Sequence, residues 1–212
     1  MEYIVTSIAQ AKKNIERVNL YLDNEFWIGL DKDNLIKYGL FKGMKLDEAK
    51  KKEIEKASVD GKLLEKAMNF IMIRPRSVKE MQDYLVLRRG LTAEESQSFI
   101  SILQSRGYLS DLEFTKWYSE NRLASGFHGI NKIKAELIKK GVSSEIINSV
   151  LSEKKEESKD DQAERIKEYI KKVSKSIKSK DQYEFKNKLI QRLMSRGYGY
   201  DQVKSVLSEM GI

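Results

Sequence analysis

The sequence predicts a mainly α protein: three tandem three-helix repeats in an elongated curved array, preceded by a small antiparallel β-sheet subdomain. Three observations carry this. Helix breakers are scarce, with one proline and 12 glycines in 212 residues. The hydrophobic period changes to 3.6 near Gly61 and stays there. One short grammar of residues recurs three times along the chain.

The start of the chain is strand-like. Tyr3–Ile8, Val18–Leu22 and Phe26–Leu30 are short β-branched or aromatic runs. Asp23-Asn24-Glu25 closes a hairpin between the last two, and Ala11-Lys12-Lys13-Asn14 is a polar connector. Asp31 offers an N-cap for a short helix ending near Gly39, and Leu46–Lys56 reads as a second helix. Beyond Gly61, Leu63, Leu64, Ala67, Met68, Phe70 and Ile71 form one helical stripe. Arg74-Pro75-Arg76 interrupts it, and Ser77 with Glu80 three residues later predicts a capping box that restarts a helix through Met81 and Leu85.

The repeated grammar is apolar, basic, glycine, apolar. It appears at Tyr84–Leu91 around Gly90, at Glu136–Val142 around Gly141 and at Arg192–Tyr198 around Gly197. Ile147, Val150 and Leu151 stand 6, 9 and 10 residues beyond Gly141, as Val203, Val206 and Leu207 do beyond Gly197. The first copy is looser, with Ser96 in the sixth position. Glycine at C′ accepts the left-handed conformation and basic side chains favour the negative end of the helix dipole, so these glycines, and Gly107 in Ser105-Arg106-Gly107-Tyr108, read as helix caps. Spacings of 51 and 56 residues between cap glycines leave room for three helices per repeat. The organisation expected is therefore a strand-rich extension over 1–60 and repeats over 61–109, 110–152 and 153–212. Residues 153–161 contain no apolar side chain and read as a solvated helix end or joint.

Charge narrows the partner. Forty basic and 32 acidic residues give +8. The first sixty residues are neutral and the excess lies in the remainder, which suits an acidic partner such as nucleic acid. There is no cysteine, so disulfides, thiolate metal sites and a thiol nucleophile are excluded. No export signal or membrane span is read in the chain, and a cytoplasmic home is expected. The single histidine, His128, reads as a loop or cap residue. Asp31-Lys32-Asp33 begins like a calcium loop but has Ile36 and Lys42 where glycine and glutamate are needed. Gly39–Lys45 lacks the spacing and the Lys-Ser/Thr pair of a P-loop. Phe114, Trp117 and Tyr118 lie at helical spacing and read as core before they read as base-stacking aromatics. No catalytic, cofactor or metal site is expected.

Within the middle repeat, Gly107-Tyr108-Leu109-Ser110-Asp111, Phe114, Tyr118, Arg122, Gly126, Ile133, Glu136-Leu137 and Lys140-Gly141 resemble the signature of the RecX recombination regulators. Arg196-Gly197-Tyr198 with Tyr200-Asp201 resembles that family's outer repeats, and the strand-rich start resembles the N-terminal extension of its longer members. Two departures are local: Phe127-His128-Gly129 stands where many members have an aromatic followed by glycine and proline, and Thr115 stands where alanine is usual. The resemblance implies a bacterial cytoplasmic protein, monomeric, without cofactor or catalysis. It would bind RecA and the RecA filament on single-stranded DNA and modulate it, most often by inhibition, with weak direct DNA binding. The contact residues this reading picks out are Arg74, Arg76, Arg88 and Arg89 in the first repeat, Arg122, Lys132, Lys139 and Lys140 in the second, and Arg192 and Arg196 in the third. A helical-repeat nucleic-acid-binding protein acting without RecA is the alternative. A dimeric helix-turn-helix repressor fits three unlike repeats less well.

Overall fold

The computed structural model describes residues 2–12, 14–124, 128–156 and 159–212, without the side chains of 153–161. Two compact units divide the chain, Met1–Met72 and Ile73–Ile212.

In the first unit, β1 (Tyr3–Gln10), β2 (Arg17–Leu22), β3 (Glu25–Asp31) and the two-residue β4 (Lys45–Leu46) form an antiparallel sheet in the order β3-β2-β1-β4. Val18, Leu20 and Leu22 alternate into the core, the period-2 pattern of a sheet with one covered face. The β2–β3 turn has Asp23 and Asn24 at φ 49° and 70°, the pair of positive angles that matches strand twist in a two-residue hairpin. Helix α1 (Lys32–Lys37) starts on Asp31, whose carboxylate accepts the Asn34 N–H at 2.8 Å. Helix α2 runs unbroken over Glu48–Ile73. Leu46, expected to open this helix, pairs instead with Tyr3 in β4, and Asp47 takes the Lys50 N–H at 2.7 Å. Gly61 lies mid-helix: the Asp31 Oδ2 sits 2.5 Å from where a Cβ would be.

The second unit is built from helices and short connections among the described residues. Helix α3 (Val78–Asp83) passes into a π-helical turn at Tyr84–Arg88 and is followed by α4 (Ala93–Ser105). Then come α5 (Asp111–Ala124), α6 (Ile130–Lys139) and α7 (Ser144–Glu156), and after them α8 (Lys159–Ser174), α9 (Gln182–Ser195) and α10 (Tyr200–Glu209). Phe114, Ile133, Leu137, Val142, Ile147 and Leu151 make one core. Ile166, Tyr169, Ile170, Leu189, Leu193, Tyr198, Val203, Val206 and Leu207 make another. The expected joint at 153–161 spans the end of α7 and the start of α8, while residues 157 and 158, like Gly126 and Phe127, lie outside the described residues.

Candidate partner-binding site

All four expected cap glycines hold positive φ: Gly90 at 75°, Gly107 at 74°, Gly141 at 80° and Gly197 at 89°. After the cap, the chain folds back in the same way in the second and third repeats. The Val142 N–H reaches the Leu137 carbonyl at 3.2 Å, and the Tyr198 N–H reaches Leu193 at 3.3 Å. In the first repeat the Leu91 N–H reaches Leu85, one residue further back. The π-helical turn supplies that extra residue and accounts for the looser first copy.

These caps also join the repeats. The Ser77 hydroxyl at the start of α3 donates to the Lys140 carbonyl at the end of α6, at 2.8 Å. Gly141 is seated on Lys79 so closely that a Cβ would lie 2.6 Å from that side chain. One repeat later the geometry recurs. The Gly129 N–H donates to the Arg196 carbonyl at 2.8 Å and the Asn131 N–H to the Gly197 carbonyl at 3.2 Å. A Cβ on Gly197 would lie 2.3 Å from the Lys132 nitrogen. In both junctions the carbonyl end of a later helix satisfies the start of an earlier one, so the dipoles of α9, α6 and α3 follow head to tail.

A band of charged and aromatic side chains lies beside the first junction. Glu80 receives Arg74 at 2.8 Å and Lys140 at 2.6 Å. Glu136 receives Arg122 through two nitrogens and the Tyr118 hydroxyl at 2.9 Å. Arg74 lies over Trp117, and Lys140 over Tyr118 and Phe114. Burial alone would raise the Glu80 pKa, but the hydrogen bonds from Arg74 and Lys140 hold it below the usual carboxylate value. The Arg122 hydrogen bond, followed by that of Tyr118, does the same for Glu136 against the opposing effect of burial. Burial, then the Glu136 carboxylate, pushes the Tyr118 phenol up. Asp111 accepts the Val78 N–H at 2.8 Å, and burial raises its pKa. His128 sits before the second junction with Nδ1 buried and unpaired among the described residues; burial, then the Arg122 and Lys132 charges, lowers its pKa.

The ten cationic residues picked out in the sequence differ in what they contact. Arg74, Arg122 and Lys140 are committed to the internal carboxylates Glu80 and Glu136. Arg76 is half-buried, and burial, then the neighbouring Arg74 charge, lowers its pKa. Arg89 lies over the Tyr84 ring and donates to its hydroxyl. Arg196 lies 4.6 Å over Tyr169, Lys132 flanks Gly197, and Arg192 reaches the Ser176 hydroxyl at 3.3 Å. Arg88 and Lys139 are exposed and form no ion pair among the described residues. Phe114 is fully buried, with Trp117 and Tyr118 packed against the same core. The organising carboxylates were not singled out as anchors in the sequence. Glu80 reads there as half of a capping box, yet Ser77 caps the Glu80 N–H at 3.1 Å while the Glu80 carboxylate turns to Arg74 and Lys140.

The tandem arrangement has known counterparts. Residues 3–47 match the regulatory protein RecX N-terminal domain, residues 110–151 the RecX second three-helix domain and residues 160–207 the RecX third three-helix domain. A regulatory protein RecX of Bacillus licheniformis is 35% identical over 210 residues, covering 99% of this chain and 78% of that protein. One from Listeria monocytogenes serotype 4a (strain HCC23) is 33% identical over 205 residues, covering 97% and 75%. The chain belongs to the RecX family. A crystal structure of regulatory protein RecX superposes with a TM-score of 0.81 at 20% identity, covering 97% of this chain and 99% of that one. RecX from Lactobacillus salivarius gives 0.62 at 21% identity over 71% and 96%. These two likenesses show the RecX fold: a small antiparallel sheet followed by three-helix domains. Among the described residues no helix is long and apolar enough to cross a membrane.

Proposed function

We propose that this RecX-family chain is a cytoplasmic regulator that binds RecA and its filament on single-stranded DNA, without chemistry of its own, and restrains ATP hydrolysis and strand exchange. Family membership, with relatives named regulatory proteins, carries the reading. The serial helix ends and the basic excess of the helical remainder suit an extended, acidic assembly better than enclosure of a small molecule. Modules over 1–60, 61–109, 110–152 and 153–212 belong to the same proposal. The chain acts as a monomer that bridges neighbouring filament subunits.

The test is DNA-dependent ATP hydrolysis by RecA from the same source, with this protein added from substoichiometric to equimolar amounts. Strong inhibition well below one molecule per RecA supports action on the filament. No change at any ratio refutes it. The outward-facing Arg88 and Lys139 favour a second reading, direct nucleic-acid binding without RecA. In that case affinity for bare single strands falls with salt at a slope near −0.7 per phosphate contacted.

A further inference from the structure

We infer that Leu87, Ile138 and Met194 are three equivalent contact points for successive subunits of a repeating protein partner, each subunit meeting them with an apolar spot bordered by carboxylates. The inference rests on the filament reading above and names residues that carry it.

Each of the three residues stands three positions before the cap glycine of its repeat, and each is exposed, at 78%, 50% and 49%. The repeats' own packing uses other residues. Leu85, Leu137 and Leu193 on the same helix ends are fully buried, so the folding stripe is already supplied. A single exposed apolar side chain is ordinary on any protein surface. An apolar side chain at the same outward position in three repeats that otherwise differ is a pattern, and neither core needs it. The π-helical turn is the device that keeps it. By inserting one residue between Leu85 and Gly90 it leaves Leu87 in the outward position relative to the cap.

The surroundings specify the partner. Arg88 and Lys139 follow the first two apolar residues, exposed and without an ion pair among the described residues, and exposed Arg192 lies two positions before Met194. Cations beside an apolar spot select carboxylates beside an apolar spot. Base stacking uses aromatic platforms, and none of the three residues is aromatic, so the apolar element fits protein rather than nucleic acid. The two junctions join the end of α9 to the start of α6 and the end of α6 to the start of α3, so the three contact points come in series. A partner with a single site would use one of the three. A partner built of identical subunits uses all of them, and the linked contacts multiply.

The experiment uses the full chain and the variants Leu87→Glu, Ile138→Glu and Met194→Glu, singly and combined, in cosedimentation with preformed RecA filaments on single-stranded DNA and, in parallel, with the bare DNA. Circular dichroism and thermal unfolding check that each variant folds, as exposed positions allow. Each single change is expected to weaken filament binding about 3- to 10-fold and the triple change about 100-fold or more, with bare-DNA binding unchanged. Wild-type-like pelleting of the triple variant overturns this inference and leaves the function reading standing. Loss confined to one of the three positions overturns the equivalence. Failure of the wild-type chain to pellet overturns the function reading, and this inference with it.

Discussion

Gly129→Ala isolates the second junction from every other property of the chain. Gly129 has φ −79° and ψ 158°, a conformation any residue adopts, so alanine meets no backbone penalty. Restricting the unfolded chain would, by itself, stabilise by about 0.4–1 kcal/mol. The space is the obstacle. An added Cβ would lie 2.3 Å from the Gly197 carbonyl carbon and oxygen and 2.5 Å from the Tyr198 nitrogen, where ordinary contact begins at 3.4 Å. The helix start must withdraw by roughly 1 Å, which carries the 2.8 Å bond from Gly129 to Arg196 and the 3.2 Å bond from Asn131 to Gly197 out of range. Two lost hydrogen bonds at about 1 kcal/mol each, with about 1–3 kcal/mol of overpacking, outweigh the entropic gain, for a net loss of ~2–4 kcal/mol. Urea unfolding measures it, with amide exchange at Asn131 reporting where the loss falls. Gly199→Ala is the control: Gly199 also begins a helix at an ordinary φ of −73°, but nothing lies within 4 Å of its added Cβ. If Gly129→Ala and Gly199→Ala unfold at the same urea concentration, the close approach does not hold the repeats together.

Acid should act in two steps. His128 has a pKa lowered from 6.5, so the unfolded chain binds a proton that the fold resists, and its contribution is lost as pH falls below about 6.5. Glu80 and Glu136 are lowered from 4.5, and their contribution, present above that value, is lost as pH falls through the lowered pKa. Thermal unfolding against pH should therefore show a shallower acid limb in Glu80→Gln than in the wild-type chain. Asp111→Ala strands the Val78 N–H and should cost about 1–3 kcal/mol in urea unfolding, whereas Asp111→Asn keeps an acceptor and should stay within about 1 kcal/mol of wild type. Arg88→Glu and Lys139→Glu, at exposed positions, should shift stability by no more than about 0.5 kcal/mol. Arg122→Ala leaves the Glu136 carboxylate without its guanidinium and should cost about 1–3 kcal/mol, so loss of partner binding in that variant would report folding as much as contact.

Local chemistry made much of this fold legible. Short β-branched and aromatic runs gave the three longer strands, Asp31 announced a helix start, and four glycines preceded by basic residues marked helix ends, because each signal is complete within a few residues. Long-range contacts were hidden. Gly61 opens a new period in the sequence yet sits inside α2, where its missing side chain makes room for the Asp31 carboxylate. Thr92 and Glu95 form a reciprocal capping box, which the stronger-looking pair Ser77 and Glu80 does not complete, because Arg74 and Lys140 draw the Glu80 carboxylate away. The same holds for the candidate contacts. A run of basic residues is visible in the sequence, but which of them face inward depends on carboxylates folded against them, Glu80 for Arg74 and, from another repeat, for Lys140, and Glu136 from the neighbouring helix for Arg122.

The direction of the junctions sets an order of assembly. Ser77 finds its acceptor only when Lys140, 63 residues later, has been made. At roughly 5–20 residues per second on the ribosome, the first repeat waits about 3–13 s for the helix that finishes it, and the second repeat waits in turn for the third. The first and second repeats thus each emerge with a junction donor, the Ser77 hydroxyl and the Gly129 N–H, that only the following repeat can pair, so a chain cut short before its third repeat would leave the second open at that edge.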